Sequence, residues 1–376
     1  MAVDPERIEQ IVRATADLYR EAEQQLVRAI TRHLTVGLET PQWATERLLA
    51  IGKVRAAVAE ILDDLRGELP DLVLQAVTEA YESADASVLG EIPEQVAARL
   101  QAAVAQPALP RPQVILALAT ALVRDIGARH SNVLRHVMDV YRRVIAEATA
   151  GSTIGGLTRR QAAQIAFARF VEHGVASFVD RRGRRWRLSS YVEMGVRTVT
   201  QRAAVQGQVD RQQRLGLDLV MVSNEAQECV LCRPYEGQVL RIDPGPTGRI
   251  TVPHQLTGEP IQIEVRAVLA DARAAGFQHP NCRHSVRAYL PGVTRLPPRP
   301  TADPAGDAAR QRQRAIERSI RRWRERELGA LTPVAAAQAR AKVRAWQGQM
   351  RKHLAAHPSL KRLPYRETIG AGSQPR

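Results

Sequence analysis

Aromatic side chains are scarce in this chain, where four Phe, seven Tyr and four Trp make up only 4% of 376 residues. Few flat faces are therefore available for stacking bases, which argues against a dedicated single-strand nucleic-acid binder. Cysteine is scarcer still. There are three, an odd number that builds no disulfide framework and points to a reducing compartment. No run of about 18 apolar residues occurs, so no membrane span is expected. The start of the chain, Met1-Ala-Val-Asp-Pro-Glu-Arg7, lacks the basic segment and apolar run of an export signal. Catalytic signatures are missing too: there is no His-Glu-x-x-His, Gly-x-Ser-x-Gly or phosphate loop. Neither the His-x-Glu segment nor the proline that a zinc deaminase places before its cysteine pair precedes Cys229. The chain is therefore read as a non-enzyme.

What the chain does have is positive charge. Its 54 basic residues exceed 39 acidic ones to give +15, a balance that suits a polyanionic partner such as nucleic acid or an acidic protein surface. A hydrophobic fraction of 44% is ordinary for folded proteins and excludes disorder of the whole chain. The length exceeds what one core usually supports, so two or three domains are expected.

Residues 1–150 read as a helical domain, a bundle or a set of long antiparallel helices. Asp4-Pro5 supplies an N-cap and a first-turn proline, after which Ile8, Ile11, Thr15, Leu18, Ala22, Leu26, Ile30 and Leu34 recur at helical spacing. Thr40-Pro41 opens a second helix with Ile51, Val54, Val58, Ile61 and Leu65 as its apolar face. Further helices fit about 71–84, 93–105, 112–128 and 131–149, with Pro107–Pro112 as a hinge. His33, His130 and His136 have no ligand partners at useful spacing and are read as surface or satisfied core residues.

Residues 151–292 read as a small α+β domain. Gly151–Gly156 breaks the helical run, and Thr158-Arg-Arg-Gln161 has the form of a capping box, as does Ser190-Tyr-Val-Glu193. Between them, Phe178–Leu188 predicts a β-hairpin with Arg181, Arg182, Arg184 and Arg185 at its tip. Four arginines on a tight turn suit phosphates or a carboxylate-rich partner, and equally a solvated loop. Short β-like runs follow at 219–222, 238–242, 249–252 and 261–265, then a short helix over 269–275.

Those runs surround the densest chemistry in the chain. Cys229-Val-Leu-Cys232 and His279-Pro-Asn-Cys282-Arg-His284 hold all three cysteines and two of the nine histidines. Thiolates and imidazoles are the ligands a tetrahedral zinc ion prefers, and a two-residue gap lets both members of a pair face one ion. The interval from Cys232 to Cys282 exceeds that of a usual finger, so three buried free cysteines remain the alternative. The predicted strands bring the two turns together at one small sheet, which a structural zinc ion would close.

Residues 293–308 form a Pro-rich linker, and 309–376 a basic helical arm with a disordered tail after Pro364. Residues 309–328 carry eight arginines and three glutamates around Ala309, Ile316, Ile320 and Trp323. So narrow a stripe suits docking on a partner, with Arg314, Arg318, Arg321 and Arg322 as contact residues, or a solvated face lying on the protein's own surface. A second basic helix is expected from about Pro333 to Ala355.

In chain order these segments resemble the minor capsid protein 2 family of tailed bacteriophages, akin to head-morphogenesis proteins with an HPNCR-type motif. The resemblance rests on Asp139-Val-Tyr-Arg142, Phe178-Val-Asp-Arg181, Gly183-Arg-Arg-Trp186, Ser190-Tyr-Val-Glu-Met194, Arg197-Thr198 and Asp218-Leu-Val220. It continues through the cysteine pair, Gly237, Ala270-Asp-Ala-Arg273, the His279–His284 motif, Tyr289-Leu-Pro-Gly292 and the run Arg312–Trp323. It covers about residues 130–355. It implies a virion protein associated with the portal vertex inside the head, acting in head assembly and in DNA packaging or ejection after assembly in the host cytoplasm. Its implied partners are the portal, capsid or scaffold proteins and packaged DNA bound without sequence preference, with no membrane. Many relatives end the last motif in Cys where this chain has His284. Cys229, Cys232 and Cys282 are then joined by His279, favoured because the rigid Pro280 would hold the turn, with His284 as the alternative ligand. The other classes weighed are a zinc-containing nucleic-acid-binding protein and, less favoured, a zinc enzyme.

Overall fold

The computed structural model describes residues 5–100, 112–154, 156–224, 231–280, 282, 284–297 and 304–369. The architecture is mainly helical with a small sheet module. Helices α1 (Pro5–Thr35), α2 (Trp43–Leu49), α3 (Ile51–Glu91), α4 (Glu94–Arg99), α5 (Pro112–Ile154) and α6 (Arg159–His173) come first. The hairpin β1 (Ser177–Val179) and β2 (Arg185–Arg187) follows, then α7 (Leu188–Arg214). Strands β3 (Leu219–Val222), β4 (Val239–Arg241), β5 (Gly248–Pro253) and β6 (Pro260–Val268) precede α8 (Leu269–Ala274) and β7 (Val286–Ala288). Helices α9 (Pro304–Leu328) and α10 (Pro333–Ala356) complete the regular elements.

The helices are fewer and longer than the sequence suggests. α3 runs through Pro70 without ending, because Leu65, Leu69, Val73 and Val77 stay buried at helical spacing on both sides of it. Continuous packing there outweighs the one backbone hydrogen bond that proline removes. α5 likewise runs unbroken where two helices were expected. In α1 the buried stripe is Ile8, Val12, Tyr19, Leu26, Ile30 and Leu34, so Val12 and Tyr19 take the inward places expected of Ile11 and Leu18. The expected hinge at 107–112 lies, except for Pro112, outside the described residues.

The chain divides into two compact units that interleave in sequence. The first comprises Met1–Ala14, Asp71–Leu122 and Met194–Asp307, and the second Thr15–Pro70, Val123–Glu193 and Ala308–Arg376. Helices α1, α3, α5, α7 and α9 each contribute a part to both units.

In the first unit the sheet order is β5-β6-β4-β3-β7. β3 pairs antiparallel with both β4 and β7, while β4 and β6 are parallel. All four residues of β3 are buried, since both faces of this central strand are covered. Val220 and Val222 pack with Val205 and Val209 of α7, Leu269 and Phe277. Leu219 and Met221 face a second cluster with Val239, Ile263, Val265 and Tyr289.

In the second unit Trp43 is fully buried and donates its indole N–H to the Leu34 carbonyl at 2.9 Å, satisfying an end of α1. Tyr19 and His130 meet at 2.9 Å in the interior through the His130 Nε2, so His130 is a core residue, although its buried Nδ1 has no hydrogen-bond partner among the described residues. The Thr158 capping box forms with both of its hydrogen bonds. The one expected at Ser190 does not, because α7 already begins at Leu188. Glu23 instead accepts the Ser189 N–H at 2.9 Å, and Glu193 pairs with Arg20 at 2.9 Å. α9 is no free arm: Ile316, Glu317, Ile320, Arg321 and Glu325 are buried, and Ile316 and Ile320 pack with Val343 and Met350 of α10. Order also persists past Pro364, where Glu367 is buried and held by Arg362 at 2.7 and 2.8 Å. The last seven residues lie outside the described set.

Candidate metal centre

The sheet topology itself creates this centre. Because β3 is antiparallel to both neighbours, the turn leading into β4 and the segment leading into β7 arrive at the same end of the sheet. Ser223 and Ser285 tie that end, the Ser223 N–H donating to the Ser285 carbonyl and the Ser285 N–H to Ser223 Oγ, each at 3.0 Å. Cys232 stands at the start of a short 3-10 turn over Arg233–Tyr235, and Gly237 at φ 65 turns the chain back into β4. On the other side Gln278 adopts φ 56, and the Cys282 N–H closes a turn on the His279 carbonyl at 2.9 Å.

Cys232, Cys282 and His284 meet there, their ligand atoms all within 4.8 Å of one another. The two Sγ atoms are 3.5 Å apart, and Cys282 Sγ lies 3.3 Å from His284 Nδ1. Tetrahedral bonds of about 2.3 Å to sulfur and about 2.05 Å to nitrogen place neighbouring ligands roughly 3.5–3.8 Å apart. The observed 3.5 and 3.3 Å lie close to these distances, with the third pair within 4.8 Å. The His284 N–H also points at Cys282 Sγ at 3.4 Å, and Gln201 of α7 holds the His284 carbonyl at 3.1 Å. All three residues are buried, with Phe277 and Tyr235 packed alongside.

Electrostatics follow from this packing. The Cys232 thiol is pushed up to about 12, first by its hydrogen bond with Cys282 and then by burial. Burial opposes a charged His284 ring, but hydrogen bonds to Cys232 and Glu236 prevail and its pKa is raised. A bound dication would reverse the logic at the thiols, since metal coordination deprotonates them.

Of the expected ligands, Cys229 lies outside the described residues. His279 is not in the cluster; its Nδ1 lies 2.8 Å from the Pro280 carbonyl on the exposed side. The residue brought to the thiols is His284, for a physical reason. The His284 ring lies against Cys282 Sγ in the interior, whereas the His279 ring lies on the exposed side, across the turn that the Cys282 N–H closes. Glu236, whose Oε1 lies 2.5 Å from His284 Nε2, was not anticipated; it sits 48 residues from His284 and only the fold joins them.

The arginine groups are placed differently from one another. Arg181, Arg182, Arg184 and Arg185 are exposed around the β1–β2 turn. Asp180 organises that turn by accepting from the Arg182 and Arg184 N–H groups and the Trp186 indole, each at 2.9 Å. On α9, Arg321 is buried and donates to the Arg366 carbonyl, while Arg314, Arg318 and Arg322 are half-buried. α9 therefore gives most of its surface to its own unit.

Among the described residues no helix is long and apolar enough to cross a membrane. A mainly helical protein with a small sheet and a buried Cys/His centre is the class these features define. The family model described as "Phage minor capsid protein 2" matches residues 3–355, and the chain belongs to that family. The match reaches through the N-terminal helices, well beyond the 130–355 region where motifs are visible. It is a phage minor capsid protein, a component of the virion. No curated protein and no solved structure matches the chain.

Proposed function

We propose that this minor capsid protein is a structural, non-enzymatic component at the portal vertex inside the phage head, where it aids head assembly and DNA packaging or ejection. The observation that carries this reading is membership of the minor capsid family over nearly the whole chain. The charge of +15 agrees with a head interior filled with polyanion, where contacts to phosphates are salt-dependent and indifferent to sequence. The exposed tip Arg181, Arg182, Arg184 and Arg185 is the surface best suited to such contact or to an acidic face of the portal or scaffold. The Cys/His centre serves as a structural clasp with zinc as its ion, contributed to by Cys232, Cys282 and His284 and, from the spacing of the pair, Cys229.

Mass spectrometry of purified particles, with copy number scaled to the portal, tests this. A few copies per particle, retained when portal-containing vertices are isolated, are expected. Absence from finished particles would overturn the structural role, and an abundance matching the major shell protein would overturn the vertex location.

A further inference from the structure

The structure assigns to Glu236 the task of fixing His284 as an Nδ1 ligand: we propose a carboxylate–histidine–zinc relay in which Cys232 and Cys282 bind through sulfur and Glu236 stands behind the imidazole. This rests on reading the Cys/His centre as a metal clasp.

An ionised carboxylate accepts hydrogen bonds and donates none. With Glu236 Oε1 as the acceptor of the 2.5 Å contact, the proton sits on His284 Nε2. A neutral imidazole then has its free lone pair at Nδ1, and it is Nδ1 that faces Cys282 Sγ at 3.3 Å. Both side chains of the relay are shielded, at 2% and 4% exposure, so water does not compete for either nitrogen. The backbone supports the same orientation, since Gln201 Nε2 holds the His284 carbonyl. Partners of this kind are a general feature of metal-bound histidines, setting the tautomer and raising ligand basicity.

The same three residues, Cys282, His284 and Glu236, have the order of a thiol nucleophile, base and orienting carboxylate. Two observations favour the metal instead. A second thiol, Cys232, lies 3.5 Å from the first, where it would crowd a substrate but completes a ligand set. Both sulfurs are also buried, at 0% and 7% exposure, whereas a reactive thiol sits in a partly exposed, electropositive setting.

The test uses the full chain purified with zinc, as wild type and as Glu236→Ala, Glu236→Gln, His284→Ala and His279→Ala. Zinc content is measured by mass spectrometry, affinity by competition with a chromogenic chelator, and ligand type by the absorption of the cobalt-substituted protein. Wild type is expected to hold one zinc with sulfur-to-cobalt charge-transfer bands. His279→Ala keeps the zinc and His284→Ala loses it. Glu236→Ala binds about 10–100-fold more weakly with the charge-transfer bands retained, and Glu236→Gln, which keeps an acceptor oxygen without the charge, falls between. Wild-type affinity in Glu236→Ala overturns the relay while leaving the clasp intact. Should Glu236→Ala fail to fold, unchanged affinity in Glu236→Gln overturns it equally. A wild-type protein without zinc, whose Cys282 reacts rapidly with iodoacetamide, overturns the clasp itself and restores the nucleophile reading.

Discussion

Gly207 of α7 lies directly against the carbonyl of Tyr81 in α3, so close that a Cβ at 207 would overlap the carbonyl oxygen. The contact is locked beside it by the Tyr81 hydroxyl donating to Asp210 at 2.6 Å, both residues buried. Gly207→Ala is expected to destabilise the first unit by about 2–3 kcal/mol, because backbone rather than a flexible side chain must move. Gly67, also helical, meets nothing within 4 Å. Gly67→Ala should therefore stabilise by about 0.5–1 kcal/mol through helix propensity and a less entropic unfolded chain. Thermal melts of the two variants, moving in opposite directions, check the pair.

Trp43 anchors the end of α1 by burial and by its bond to the Leu34 carbonyl. Trp43→Ala is expected to cost about 3–5 kcal/mol, and Trp43→Phe less, since the ring volume is mostly kept while the carbonyl loses its donor. Urea unfolding gives both values; equal losses would place the whole effect in the hydrogen bond.

Glu23 is buried among Arg187, Glu325 and the Ser189 N–H, and burial pushes its carboxyl up to about 7 from 4.5. The folded state therefore holds the proton more tightly than the unfolded chain. The stabilisation is fully present below about 4.5 and is lost as pH rises through about 7. Wild-type stability should fall across this window by on the order of 2 kcal/mol. Glu23→Gln, still able to accept from Ser189, should flatten the slope. Denaturant melts at pH 5 and pH 7.5 measure it, and an unchanged slope in the variant would show that Glu23 titrates normally.

Asp180 gathers the β1–β2 turn, and its carboxyl is lowered to about 2, first by the Trp186 indole and then by the Arg184 N–H. A carboxyl depressed in the folded state stabilises at pH above its unfolded value of 3.8 and loses that contribution as pH falls through about 2. Asp180→Ala is expected to expose Trp186, which is otherwise buried, giving a red-shifted tryptophan emission at neutral pH without global unfolding.

The arginine tip gives a prediction in solution. Replacing Arg181, Arg182 and Arg185 with Ala should weaken binding to a random-sequence DNA duplex and shrink the salt slope by up to about 2.7, or about 0.9 for each lost phosphate contact. Identical effects on every sequence are expected. An unchanged slope would assign the tip to a protein partner or to solvent.

The residue pattern by itself determined a good deal of this molecule. Helical spacing and caps such as Thr158 with Gln161 depend on neighbours three or four residues away, so the helices, the hairpin and most strands were readable locally. The order of short motifs around the cysteines was likewise enough to indicate the family, and the rarity of cysteine singled out the region of the buried Cys/His cluster. Long-range pairing was not readable. That α3 continues through Pro70 depends on burial of Leu69 and Val73, and that Arg321 turns inward depends on the Arg366 carbonyl far along the chain. That His284 rather than His279 lies beside the two buried thiols, with Glu236 behind it, was decided by the antiparallel placement of β3 between β4 and β7. Spacing counts residues along a chain, whereas a buried centre selects whichever side chains the packed backbone delivers to one point, and only tertiary structure fixes that point.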